Sequence, residues 1–135
     1  MIEVARRHAP PGDIQYTGLD LFEARTSADG PGMTLKMAHR HLGATGARIR
    51  LVPGSPFSAL AQTANVLGQV DVIVVSSLLE PQSLSKAWFY VPRLLHERSQ
   101  VFLQQRKPGN VCTIRPVDRS EIAAFAASAA GLRAA

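Results

Sequence analysis

Six consecutive residues, Val70-Asp71-Val72-Ile73-Val74-Val75, are apolar and β-branched in all but one position, and they stop abruptly at Ser76-Ser77. Such a short run reads as a strand buried on both faces, and doubly buried strands belong to parallel sheets wrapped by helices. In open parallel sheets ligands collect just beyond the carboxyl ends of the strands. The residues there, Ser76-Ser77-Leu78-Leu79-Glu80-Pro81-Gln82-Ser83, offer hydroxyls but no glycine cradle, histidine or arginine. Ser76 and Ser77 are therefore the candidate ligand-binding residues at this end.

The rest of the chain alternates in the same manner. Tyr16–Ala24 reads as a first strand, followed by a turn cluster at Ala28-Asp29-Gly30-Pro31-Gly32. Thr34 can cap a helix that buries Leu35, Ala38 and Leu42 and ends at Gly43. Ala47–Val52 alternates as a second strand, with Ile49 inward and Arg48 and Arg50 on the other face. Ser55-Pro56 starts a helix carrying Phe57, Leu60, Ala61, Ala64 and Leu67, which Gly68 closes. Beyond the Val70 strand, Leu84, Trp88, Val91 and Leu95 mark a helix interrupted at Pro92. Ser99–Leu103, with Val101-Phe102-Leu103 at its centre, and Val111–Ile114 complete the strands around a turn at Lys107–Asn110. Asp118 stands three residues before Glu121, as in a capping box, and opens a final helix, 119–132, with Ile122, Phe125, Ala129 and Leu132 on one face. The expected architecture is an α/β domain: a three-layer, doubly wound, mostly parallel sheet of four to five strands flanked by helices. Residues 1–13 read as a flexible arm and 14–135 as a single domain.

Composition limits the chemistry. The single cysteine, Cys112, excludes an internal disulfide framework and any cysteine cluster for metal, and it reads as a small buried hydrophobe. No apolar run approaches the roughly 18 residues that span a bilayer, and no apolar core follows Arg6-Arg7 as it would in a secretory signal. A cytoplasmic protein without membrane contact is expected. The net charge of +5 permits weak association with nucleic acid. The basic residues are scattered, with Lys36, Arg40, Arg48 and Arg50 as the candidate nucleic-acid surface. His39, His41 and His96 lack metal-ligand spacing, so no metal and no cofactor are expected.

Glu23-Ala24-Arg25-Thr26-Ser27 at the close of a first strand is similar to the Tyr-x-Arg-x-Ser segment of serine recombinase (resolvase and invertase) catalytic domains. Gly32-Met33-Thr34-Leu35 with its helix to Gly46, and Gly68–Val75 followed by a helix to Leu94–Arg98 and then Val101-Phe102-Leu103, also resemble that family. The resemblance runs from Leu19 to Leu103. It implies Ser27 as a nucleophile for a DNA phosphodiester and Arg25 as one member of an arginine cluster meeting the charge on phosphorus. The family's Asp-Arg-x-x-Arg is replaced by Leu79-Glu80-Pro81-Gln82-Ser83, and the arginine expected between Val52 and Leu60 is absent. A glutamate in that place repels phosphate, so the resemblance implies a scaffold that has lost strand cleavage.

The universal stress protein family, with the same alternating order, is a weaker resemblance. It implies nucleotide binding, yet Ser76–Ser99 contains no glycine to bring backbone amides to phosphates. Ser27 with Asp29 and His39 lacks the glycines of a nucleophile elbow, and Gly30-x-Gly32 lacks the Lys-Ser/Thr of a phosphate loop. Trp88, Phe89 and Tyr90 are consecutive on a helix and cannot all face the core. Trp88 reads as core, and Phe89 and Tyr90 as an exposed oligomer contact, together with Phe125 and Leu132 of the tail helix. The sequence thus points to a non-catalytic, resolvase-like assembly or regulatory module that self-associates or docks on a protein partner, with DNA association. A small-ligand or nucleotide-binding domain is the alternative, and serine-dependent phosphoryl transfer is the expectation should the chain be an enzyme.

Overall fold

The computed structural model describes residues 1–76 and 81–134, and it is an α/β fold. The chain divides into two compact units, Met1–Ser55 and Pro56–Ala135. Hydrogen bonding among the described strands gives a two-stranded sheet in the first unit and a three-stranded sheet in the second.

In the first unit, Ile2–Ala5 forms a helical turn (α1) with Ile2 buried, within the stretch expected to be a loose arm. β1 (Gln15–Asp20) lies parallel to β2 (Arg48–Pro53) in continuous register from Gln15↔Arg48 to Asp20↔Pro53. The first strand was expected to run to Ala24. It stops at Asp20 because Phe22 takes a left-handed conformation (φ 49°) that no strand accommodates. α2 (Leu35–Gly43) begins where the sequence places it, with the Thr34 hydroxyl accepting the Met37 N–H at 3.2 Å. It packs on β2 and buries Ala38.

In the second unit, α3 (Pro56–Leu67) opens on Pro56, and Gly68 closes it at φ +65°. The Ser83 hydroxyl of α4 (Pro81–Ala87) accepts the Phe57 N–H at 3.0 Å and so caps α3 from the neighbouring helix. The interruption expected at Pro92 takes the form of α4 followed by a separate 3-10 turn at Val91–Leu94 with Pro92 in its first turn, and Leu95, expected on the helix, begins the next strand. β3 (Val70–Val75) pairs parallel with β4 (Leu95–Lys107), which pairs antiparallel with β5 (Val111–Val117). α5 (Arg119–Ala134) closes the unit.

The core of this unit joins one face of the sheet, Val75, Val101 and Val117, to Trp88, Val91, Ile122 and Ala129. Trp88 and Phe125 stack with ring centroids 4.8 Å apart, a geometry worth about 0.5–1.5 kcal/mol beyond area burial. The tail helix therefore packs its apolar stripe inward.

Two expectations are corrected here. β3 is not buried on both faces: Ile73 and Val75 face the helices, while Val72 and Val74 are 42% and 44% exposed. The β-branched run signals a strand but not how many faces are covered. Cys112 is exposed rather than buried, because β5 is an edge strand and Cys112 points to the same open face as Ile114.

Candidate functional site

The carboxyl ends of the parallel pair β1 and β2 meet at the register partners Asp20 and Pro53, and the Gly54 N–H donates to the Asp20 carbonyl at 2.9 Å. Ligands collect at such ends, and the chain leaving β1 is built accordingly. Phe22 is buried with positive φ. A bulky residue held there costs about 1–3 kcal/mol, and backbone strain of this kind clusters at sites where geometry matters.

Arg25 then folds back on the strand. Its Nη2 donates to Asp20 Oδ1 in an ion pair, and its Nη1 donates to the Asp29 carbonyl at 2.8 Å. Both side chains are largely covered, 15% exposed for Arg25 and 27% for Asp20. The Arg25 Nε is buried without a hydrogen-bond partner. Gly32 lies against this guanidinium so closely that a Cβ there would overlap Nε and Cδ. The remaining loop is tied down by side chains. The Thr26 N–H and hydroxyl donate to Asp29 Oδ2 at 2.7 and 2.9 Å, which holds the Asp29 carboxyl below its ordinary range, with the nearby Arg25 charge adding to the effect. Glu23 Oε1 accepts the Leu35 N–H at 2.9 Å, fixing the loop to the start of α2. On the Asp20 side of β1, Gly18 has no side chain because the Tyr16 ring and Leu51 occupy that space; a Cβ would come within 3.1 and 3.0 Å of them.

The two residues implied as catalytic, Arg25 and Ser27, therefore share one ordered loop but differ in exposure. Ser27 is exposed at the first position of a 3-10 turn, Ser27–Asp29. Arg25 has both terminal nitrogens engaged by Asp20 and Asp29. The arrangement sets a carboxylate, a clamped guanidinium and strained backbone at a strand end. It can orient a small polar ligand without presenting a guanidinium to an incoming phosphate.

Ser76 stands half-buried at the end of β3, and Ser77 lies outside the described residues, as do Leu78, Leu79 and Glu80. Lys36 and Arg40 are exposed on α2, and Arg48 and Arg50 are exposed on one face of β2. Phe89 and Tyr90 are half-buried and packed edge to face, with Phe57 5.9 Å from Tyr90 and the Arg93 guanidinium 5.0 Å over Phe89. Phe125 is half-buried against Trp88, and Leu132 is 48% exposed. Among the described residues no cluster of three or more His, Cys, Asp or Glu could hold a metal ion, and no helix is long and apolar enough to cross a membrane.

A polar node in the second unit has no counterpart in the sequence reading. Pairing shifts from Val70↔Leu95 to Val72↔Gln100, so β4 advances five residues while β3 advances two. In the resulting bulge the His96 Nδ1 accepts the Arg98 N–H at 3.1 Å, which leaves Nε2 to donate to Asp71 at 2.8 Å. The Ser99 hydroxyl donates to the Val70 carbonyl at 2.6 Å and accepts the His96 backbone N–H at 2.8 Å. The Arg119 Nη2 of α5 gathers three carbonyls of the same bulge, His96, Glu97 and Ser99, at 2.5, 3.5 and 3.2 Å. Asp71 and His96 are 25 residues apart, and only the parallel register brings them together.

No family model, curated protein or solved structure matches this chain.

Proposed function

We propose that this chain is a non-catalytic, resolvase-like assembly or regulatory module that acts in the cytoplasm by self-associating. One observation carries the reading: the second unit leaves an apolar sheet face open. Val72 and Val74 on β3, Phe102 on β4, and Ile114 and Pro116 on β5 share that face with the uncharged Gln100 and Gln104, and Ile114 is 62% exposed. Soluble chains seldom leave a contiguous apolar surface without a use for it. The rows Val72–Gln100, Val74–Phe102–Pro116 and Gln104–Ile114 carry no charge, and Arg106, opposite Cys112, stands at the hairpin end of the face, so two copies can meet over the central rows without opposing like charges. Light scattering tests this directly. The wild type is expected at twice the chain mass, and Ile114→Lys, which sets a charge on this face, is expected to shift it toward a single chain. A wild type that stays single at every concentration would sink the reading. DNA association through Lys36, Arg40, Arg48 and Arg50 belongs to the same proposal, with affinity that falls steeply as salt rises.

The second reading is a small-ligand or nucleotide-binding domain using the end of β3 beyond Val75, where Ser76 stands half-buried. It predicts that a nucleotide raises the melting temperature and that Ser76→Ala reduces the rise. An unchanged melting temperature across nucleoside mono-, di- and triphosphates would remove it. Serine-dependent phosphoryl transfer predicts a covalent protein–DNA adduct lost in Ser27→Ala. The engagement of Arg25 by Asp20 argues against seeing one.

A further inference from the structure

β5 is the last strand of its sheet, so one row of its backbone groups has no strand to pair with among the described residues. Natural edge strands are usually protected by lysine, proline, a bulge or brevity. Here protection is confined to one end. Pro116 pairs with Phe102 within the ladder, and a proline in an edge strand belongs where its missing N–H would face outward. Backbone direction alternates along a strand, so the N–H and C=O groups of Ile114 and Cys112 share that outward direction and remain complete. Nothing charged guards the stretch Val111–Ile114. The neighbouring Arg115 is folded back onto Glu121 of α5 at 3.0 Å, so its charge is met inside its own chain. Val111, Cys112 and Ile114 are all exposed.

We propose that the occupant of this edge is a second copy of the chain, paired antiparallel through β5 about a two-fold axis at Thr113. The inference rests on the reading that the chain self-associates, and it places the seam along the β5 edge that borders the open face rather than across that face. With outward groups at Cys112 and Ile114, the register that satisfies both sets Cys112 opposite Ile114 of the partner copy, the two exchanging both backbone bonds. Thr113 then faces its own symmetry mate in a non-hydrogen-bonded pair, where Cα atoms lie about 4.5 Å apart. Uncharged side chains occupy the centre, so the isologous contact opposes no like charges. Pro116 ends the pairing on each side, which keeps the contact a closed dimer strand pair rather than a longer ladder.

The test combines light scattering with cross-linking of the full chain. Ile114→Pro removes one outward N–H and Ile114→Lys adds an edge charge; each is expected to convert a double-mass species to single mass, with far-UV circular dichroism confirming that the fold persists. In a Cys112→Ser background, Thr113→Cys is expected to give an intermolecular disulfide under mild oxidation, since a facing pair at this spacing satisfies disulfide geometry. A wild type of single mass overturns both this inference and the assembly reading. A double-mass wild type that survives both Ile114 variants and gives no Thr113→Cys cross-link overturns the edge pairing alone.

Discussion

At the scale of single residues, the loop after β1 is held by groups whose partners are near in sequence but invisible to pattern reading. Arg25 was legible as a residue of interest, but its engagement by Asp20 was not, because the ion pair exists only when Phe22 turns the chain left-handed. Nothing in the sequence marks a phenylalanine for that conformation. Gly32 offers the sharpest probe. Gly32→Ala is expected to cost about 1–3 kcal/mol in urea or thermal unfolding, since the added methyl has to displace a packed guanidinium. Gly12→Ala, with nothing within 4 Å of its Cβ, is the control and should stay within about 0.5 kcal/mol of wild type. Equal effects at both positions would mean that Arg25 is not packed as described.

At the scale of elements, local signals were read well and pairing was not. Thr34 and the Asp118–Glu121 spacing mark helix starts because caps join residues three apart, and Pro56 marks one because its ring presets the first-turn φ. The sequence reads β4 as Ser99–Leu103, and the strand has 13 residues. Its Gln104 and Gln105 look like a strand end until β5 pairs with them. The start of α5 carries a pH dependence whose sign is fixed. The Ser120 hydroxyl and the Glu121 N–H donate to the Asp118 carboxylate and hold it below its ordinary value of 3.8. A folded-state value below the unfolded one contributes stability that is complete above the unfolded value and is lost as pH falls through the folded one. Asp118→Asn, which keeps an acceptor but does not titrate, should flatten the helical signal of the wild type below pH 3.8, where this contribution is otherwise lost. Acid titration followed by circular dichroism reads the difference. Arg119→Ala should loosen α5 by about 1 kcal/mol through loss of its carbonyl contacts, with added guanidinium restoring part of it. Hydrogen exchange localised to Ser120–Phe125 would report it.

At the scale of the whole molecule, alternation of strand and helix was enough to assign an α/β chain, but not its division into two units or the open face of the second. Whether a strand face is covered depends on neighbours that no local window contains, and Val72 and Val74 look the same in either case. The Gly109–Asn110 turn has a consequence for how the molecule comes into being. Both residues are left-handed, at φ 83° and 59°, so the chain reverses with little frustration and Lys107 meets Val111 across a short loop. β1 meets β2 only across a register offset of 33 residues (Gln15↔Arg48, 48 − 15), a much costlier loop to close. Assembly of the fold should therefore start at the hairpin. Pulse-labelled hydrogen exchange during refolding should protect amides of Phe102–Val117 before those of Tyr16–Val52. Replacing Gly109 with valine, which resists the left-handed region, should slow the earlier phase and leave the later one to follow it. Early protection of β1 and β2 instead would place the origin of folding elsewhere.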